Sequence, residues 1–338
     1  MFKSRDTSTF IPPHPRSMTI HTESVSTTLE SLRSNPEVYQ NLETLLTNVN
    51  GNVPLHKRFR ALFTLKNLCD EKSVDIIAKA FTDDSALLKH ELAYVLGQMK
   101  NSYANDILRS VLSDKSQDPM VRHEAAEALG AIGDLSSLDI LEEYLDDENP
   151  VIRETCELAI ARINHENHPD KRGKPSSNVT VYTSIDPAPP NTDIQSVSRL
   201  QEILLDTRLP LFERYRSMFA LRNIGTKEAV LALSEVLLHD PSALFRHEVA
   251  YVFGQMQSPD SVPALLSALE NKNELYMVRH EAAEALGSIA TSECLPILRK
   301  FRDDDERVVK ESCEVALDMY EYENSNEFQY ADGALGYR

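Results

Sequence analysis

Four His-Glu dipeptides stand in surroundings that repeat. His90-Glu91 lies in "LKHELAYVLGQM", His247-Glu248 in "FRHEVAYVFGQM", and His123-Glu124 and His280-Glu281 in two copies of "VRHEAAEALG". An imidazole offers a nitrogen donor and a carboxylate an oxygen donor, so each dipeptide can supply two unlike ligands to a cation. Mixed ligation of this kind suits iron or manganese better than structural zinc, which favours thiolates, although imidazole also accepts zinc, copper and nickel. On a helix the two side chains are turned by about 100°, so both border one groove, unlike the i, i+4 histidines of a zinc-protease helix. A second pair must therefore come from a neighbouring element.

The spacing supplies it. His90 to His123 is 33 residues, as is His247 to His280, and each pair of the first set recurs 157 residues later. The pattern extends to flanking units without a pair: "RFRALFTLKNL" (58–68) matches "RYRSMFALRNI" (214–224), and "VIRETCELAI" (151–160) matches "VVKESCEVAL" (308–317). The reading is four units in each of two duplicated halves. In "VRHEAAEALGAI" the residues Val121, Ala125, Ala128, Leu129 and Ile132 recur at helical spacing, a partner helix such as "NDILRSVLSD" precedes, and turn-formers such as "DDENP" separate the units. Sustained period-two alternation is missing. The expected fold is all-α, an α-solenoid of eight helical hairpins, and "VRHEAAEALGAIGD" resembles the HEAT-type repeat in a form shorter than its usual ~40–47 residues.

In a solenoid, equivalent positions line one surface and neighbouring helices lie ~8–10 Å apart, close enough for His90 and His123, or His247 and His280, to share an ion. Halves facing each other would bring two such sets together as a dinuclear centre. Glutamate in this slot is ordinary, as Glu154 and Glu311 of the outer units show. Histidine is not: the outer units carry Arg60-Ala61, Arg153-Glu154, Arg216-Ser217 and Lys310-Glu311 there. Tyr94 and Tyr251, four residues after their histidines, are expected to gate the centre or to pack. Glu127 and Glu284, at the same offset from His123 and His280, are expected mainly at a solvated surface. Gly97, Gly130, Gly254 and Gly287 each follow a pair's histidine by seven residues and are expected to permit close helix packing or helix ends.

The rest of the chain bounds the function. With 338 residues, 53 acidic against 35 basic and a formal charge of -18, the surface disfavours nucleic acid and anionic membranes and favours a cationic partner. Cys69, Cys156, Cys294 and Cys313 lack the paired spacing of a zinc site and the density of a disulfide framework, and read as reduced thiols. Neither a signal-peptide core nor a membrane span is evident, so the cytoplasm is the expected location, with the nucleus as a second, and the chain is expected to be a monomer. The expected divisions are an N-terminal tail (1–28), a first half (29–165), a mobile linker rich in Pro, Ser, Thr and Asn (166–195), a second half (196–322) and a C-terminal tail (323–338).

Taken together, eight such units in two halves, with His-Glu in the second and third unit of each, resemble the deoxyhypusine hydroxylases, HEAT-repeat di-iron monooxygenases, over nearly the whole chain except tails and linker. The resemblance implies two Fe2+ ions, with O2 and an external reductant as co-substrates, and hydroxylation of the deoxyhypusine side chain on translation factor 5A. It implies His90, Glu91 and His123 on one iron and His247, Glu248 and His280 on the other. Glu124 and Glu281 would then orient the substrate amines, or serve as additional ligands. The rivals are a HEAT scaffold that binds protein, a bilin lyase-like protein, and a metal hydrolase.

Overall fold

The computed structural model describes residues 30–168 and 182–325. All its regular structure is helical, and among the described residues no strand occurs. In the first half α1 (Pro36–Thr47) packs on α2 (Leu55–Leu68), α3 (Glu71–Lys79) on α4 (Ala86–Gln98), α5 (Asn105–Ser113) on α6 (Pro119–Ile132), and α7 (Leu138–Glu143) on α8 (Pro150–Asn167). The second half repeats the order. There α9 (Val197–Leu205) packs on α10 (Leu211–Ile224), α11 (Lys227–His239) on α12 (Ala243–Met256), α13 (Val262–Glu270) on α14 (Tyr276–Ile289), and α15 (Cys294–Phe301) on α16 (Arg307–Glu323).

The even-numbered helices stack in succession as an inner layer and carry all four His-Glu pairs, on α4, α6, α12 and α14. Small residues bring them together. A Cβ at Gly130 would stand 2.8 Å from the Ala159 Cβ, and one at Gly287 only 2.6 Å from the Ala316 carbonyl oxygen. Ordinary contact begins near 3.4 Å, so these glycines set the spacing between α6 and α8 and between α14 and α16. Three of the four pair-bearing helices start where the sequence provides caps: Ser85 and Ser242 accept from the backbone of Leu88 and Phe245, and Asp118 accepts from Met120 just before Pro119.

A buried arginine staples a helix pair to the next turn in two units of each half. The Nε of Arg58, Arg122, Arg214 and Arg279 donates to the last-turn carbonyls of Leu46, Leu112, Leu204 and Leu269, at 2.8–3.0 Å. Each guanidinium also pairs with an aspartate in the following loop: Asp83, Asp147, Asp240 and Asp304. Two of these staples hold the backbone next to His123 and His280. Removing one partner leaves a buried charge and a helix end without its donor, so Arg122→Ala is expected to cost about 3–5 kcal/mol, read as a fall in Tm. The aspartates add a pH dependence. Burial raises the Asp147 and Asp304 carboxyls, but the hydrogen bonds from Asn149 and Glu306 backbone amides and from Arg122 and Arg279 outweigh it and hold both below 3.8. A depressed folded value stabilises above the unfolded value; this contribution is therefore full near neutrality and declines below about pH 4, a loss that acid titration of the Tm measures.

The halves close on each other at both ends, α16 against α2 and α4, and α8 against α10 and α12. Arg60 donates to both oxygens of Asp318 at 3.0 and 3.1 Å, while Glu311 and Glu154 accept from the capping hydroxyls of Ser85 and Ser242 at 2.7 Å. The outer-unit glutamates thus serve the contact between halves. The expected mobile linker is different where it is described. Residues 169–181 lie outside the described residues, but Ser184–Ala188 are pinned between the halves, with Ala188 fully buried. The expected tail over 1–28 also lies outside the described residues, as do residues 326–338. The four cysteines are free thiols; three are buried and Cys69 is exposed. No helix among the described residues is long and apolar enough to cross a membrane.

Candidate metal centre

The four imidazoles converge where the inner layers of the halves face each other. Ring centroids of His90 and His123 are 5.4 Å apart and those of His247 and His280 5.2 Å. Contacts across the halves are just as close: 5.1 Å for His90 with His280, 5.7 Å for His90 with His247 and 5.4 Å for His123 with His247. All four rings are buried. Their donor atoms lie in groups a single cation can reach, since nitrogens of His90, His247 and His280, or of His90 and His123 with a Glu124 oxygen, fall within 4.8 Å of one another.

The glutamate that joins each set is the one on the later helix. Glu124 Oε2 is 3.2 Å from His90 Nε2, and Glu281 Oε2 is 3.5 Å from His247 Nε2 and 3.9 Å from His280 Nε2. Glu91 and Glu248, expected as ligands from the resemblance, line the adjoining cavity, as Glu124 and Glu281 also do. One residue along α4 from His90, Glu91 has Glu284 of the opposite half as its foremost charged neighbour. Glu248 correspondingly has Glu127 as its foremost charged neighbour.

The Nε2 atoms of His247 and His280 meet at 3.2 Å, whereas the first-half donors fit a cation better than they fit one another. Both nitrogens of His90 and His123, and Nδ1 of His247 and His280, are buried without hydrogen-bond partners. His90 Nε2 and Glu124 Oε2 approach to 3.2 Å outside hydrogen-bond geometry, as expected for donors aimed at a common third atom. Burial and the neighbouring rings hold His123 well below the usual 6.5, burial does the same for His90, and His247 and His280 follow. Neutral imidazoles are the form that ligates. The carboxyls are pushed the other way: burial lifts Glu91 and Glu124 to about 8, and Glu248 and Glu281 well above 4.5. A bound cation would reverse that shift by favouring the carboxylates.

Beside the rings lies a cavity of about 240 Å³. Tyr94 and Tyr251 meet across it, hydroxyl to hydroxyl at 2.8 Å, one from each half; burial keeps both phenols protonated. Glu127 and Glu284, expected mainly at a solvated surface, line the cavity wall. Burial raises Glu127 well above its ordinary value and Glu284 to about 7. Their helical offset from His123 and His280 put them one turn along the inward face, a signal present in the sequence.

Asp186 was not legible as a cavity residue, nor were Lys66 and Arg222 as cations beside the cavity's carboxylates. Asp186 belongs to the linker, and both its oxygens accept from Arg222, at 3.0 and 2.7 Å. Lys66 occupies the slot matched to Arg222, beside Glu91, and burial lowers its ammonium. Only the alignment of "LFTLKNL" with "MFALRNI" marks these cations as equivalent.

Known proteins resemble the chain in sequence and fold. HEAT repeats match residues 74–161 and 230–318, and a PBS lyase HEAT-like repeat matches 213–239. Deoxyhypusine hydroxylase of Drosophila melanogaster is 56% identical over 284 residues, covering 84% of this chain and 92% of that protein. The Schizosaccharomyces pombe deoxyhypusine hydroxylase is 55% identical over 303 residues, 87% and 95% of the two chains. The structure of human deoxyhypusine hydroxylase in complex with glycerol superposes with a TM-score of 0.80 at 52% identity, over 88% of this chain and 99% of that one. Identity at this level over nearly the full length of these relatives, together with a shared helical fold, means that the chain belongs to the deoxyhypusine hydroxylase family.

Proposed function

We propose that the chain hydroxylates a deoxyhypusine side chain at a centre of two iron ions. The observation that carries the reading is the convergence of four buried imidazoles, six of whose nitrogens lack hydrogen-bond partners, with Glu124 and Glu281 oxygens 3.2 and 3.5 Å from ring nitrogens. His90, His123 and Glu124 of the first half (29–165) would hold one ion, and His247, His280 and Glu281 of the second (196–322) the other. This exchanges the glutamate roles that the resemblance implied, following the distances. The irons supply, when bound, the activation of dioxygen that an unactivated C–H bond demands, because no side chain here is an oxidant. The balance is one C–H converted to C–OH, with O2, two electrons from an external reductant and two protons giving one water.

The protein's own residues prepare that step. Deoxyhypusine is polycationic, and the cavity wall presents Glu91, Glu248, Glu127 and Glu284 for charge-assisted hydrogen bonds to its amines. Such bonds at both ends would fix which carbon lies over the metals. The Tyr94–Tyr251 pair stays protonated and supplies hydroxyl donors without competing as phenolate ligands. The partner that presents this side chain is translation factor 5A, and the enzyme acts on it as a monomer in the cytoplasm.

The test follows the oxygen atom. With isotopically labelled dioxygen, reduced iron-loaded protein and the deoxyhypusine-bearing factor, the hydroxylated product is expected to carry the label. Label arriving from water instead would favour a metal hydrolase, and absence of turnover in folded, metal-loaded protein would favour a scaffold.

A further inference from the structure

Duplication gives the acidic cavity two ends that match in sequence. At one, Glu91 has Glu284 as its foremost charged neighbour, and Lys66 leans over the Phe63 and Tyr94 rings at 5.5 and 5.6 Å. At the other, Glu248 has Glu127, and Arg222 lies over the Phe219 ring at 4.7 Å. The surroundings then diverge. Phe63 and Lys66 are half-buried, whereas their counterparts Phe219 and Arg222 are buried.

A strap from the linker causes the difference. Ile185 is tied to the first half by two reciprocal hydrogen bonds with the Gln98 side chain, at 2.8 and 3.2 Å. On the second half Asp186 takes both hydrogen bonds from Arg222, and Gln255 donates to Ser184 at 2.9 Å. Tyr182 covers the outer face of the same guanidinium at 4.3 Å. Ile185, Asp186 and Pro187 thereby become wall of the cavity, and Asp186 adds its charge to that felt by Glu248 and Glu127. Among the described residues no such segment crosses the Glu91 end, where half-buried Phe63, Ser288 and Met319 line the cavity.

We propose that the Ser184–Ala188 strap is a specificity-determining element that closes the Glu248 end. The substrate side chain then enters past Phe63 and Met319, and its leading amine ends against Glu248 and Glu127. This rests on the proposed function. A linear chain with amines at two positions would otherwise meet matched carboxylates at either mouth of the duplicated site and bind from both. With one mouth shut, a side chain tethered to a folded protein has a single route and a fixed depth. Lys66 offsets the charge of Glu91 until the trailing amine of the substrate takes over that role.

Iron-loaded, full-length variants assayed with the deoxyhypusine-bearing protein test this. Met319→Lys places a cation on the entrance. KM is expected to rise about tenfold or more with kcat within about twofold, iron retained and the effect shrinking with salt, while Met319→Leu behaves as the parent. Gln98→Ala combined with Asp186→Asn frees the strap, and KM is again expected to rise about tenfold at retained iron, because the closed end no longer fixes the amine. Unchanged KM in the strap variant overturns the role of the strap, and unchanged KM in Met319→Lys overturns the entrance. A fall in kcat alone would mark either change as merely structural. Loss of hydroxylation in the parent protein would instead defeat the proposed function.

Discussion

His123→Ala is expected to lose one of two irons per chain and all measurable hydroxylation, and His280→Ala to do the same from the other set. His123 carries two buried nitrogens without hydrogen-bond partners, and an alanine in its place leaves the first set with one imidazole and one carboxylate. Two donors on separate helices do not retain a divalent ion against water, and the remaining iron cannot supply the two-metal chemistry. Glu124→Ala and Glu281→Ala are expected to behave likewise, since these oxygens stand 3.2 and 3.5 Å from ring nitrogens of the preceding pair. Metal analysis of each purified variant decides the matter, with circular dichroism to show that it is folded. Full iron in the Glu124 variant, with iron lost from Glu91→Ala, would restore the ligand set that the family resemblance implied.

Glu91→Gln and Glu248→Gln are expected to keep both irons and to lose substrate affinity. These side chains line the cavity and are isosteric with glutamine, so packing survives while the charge does not. A hydrogen bond to a charged group contributes about 1.5–3 kcal/mol, which converts to a rise in KM of roughly 10- to 100-fold for each. A double variant should exceed either single one, because the two carboxylates bind different amines of one substrate. Steady-state kinetics at fixed salt, with iron measured on the same samples, separates this from metal loss.

How far the sequence foretold these roles depends on what kind of signal each residue leaves. The solenoid was legible because its units repeat: matched apolar faces, caps and small residues recur at 33 and 157 residues, and a period needs no tertiary information. The four pairs were legible for the same reason, since histidine stands in a slot that outer units fill with arginine or lysine. The choice between neighbouring glutamates was not. Glu91 and Glu124 each follow their histidine in the same way, and only the distances in the closed structure, with Glu124 3.2 Å from His90, favour one over the other. Glu127 and Glu284 were placed at a surface because nothing in one helix reveals that a second half covers it. The linker misled through composition. "SIDPAPP" reads as a loop, and its order comes from Gln98, Arg222 and Gln255, each distant in sequence. The staple arginines escaped notice because their acceptors are backbone carbonyls, which no residue type marks.

The most direct test of the central claim is iron per chain after anaerobic loading of reduced protein, read together with the optical spectrum on admitting dioxygen. Two irons per chain and a new visible absorption that decays when deoxyhypusine substrate is added is the predicted result. Folded protein that takes up no iron under these conditions, yet still hydroxylates its substrate, would contradict a metal centre at these histidines.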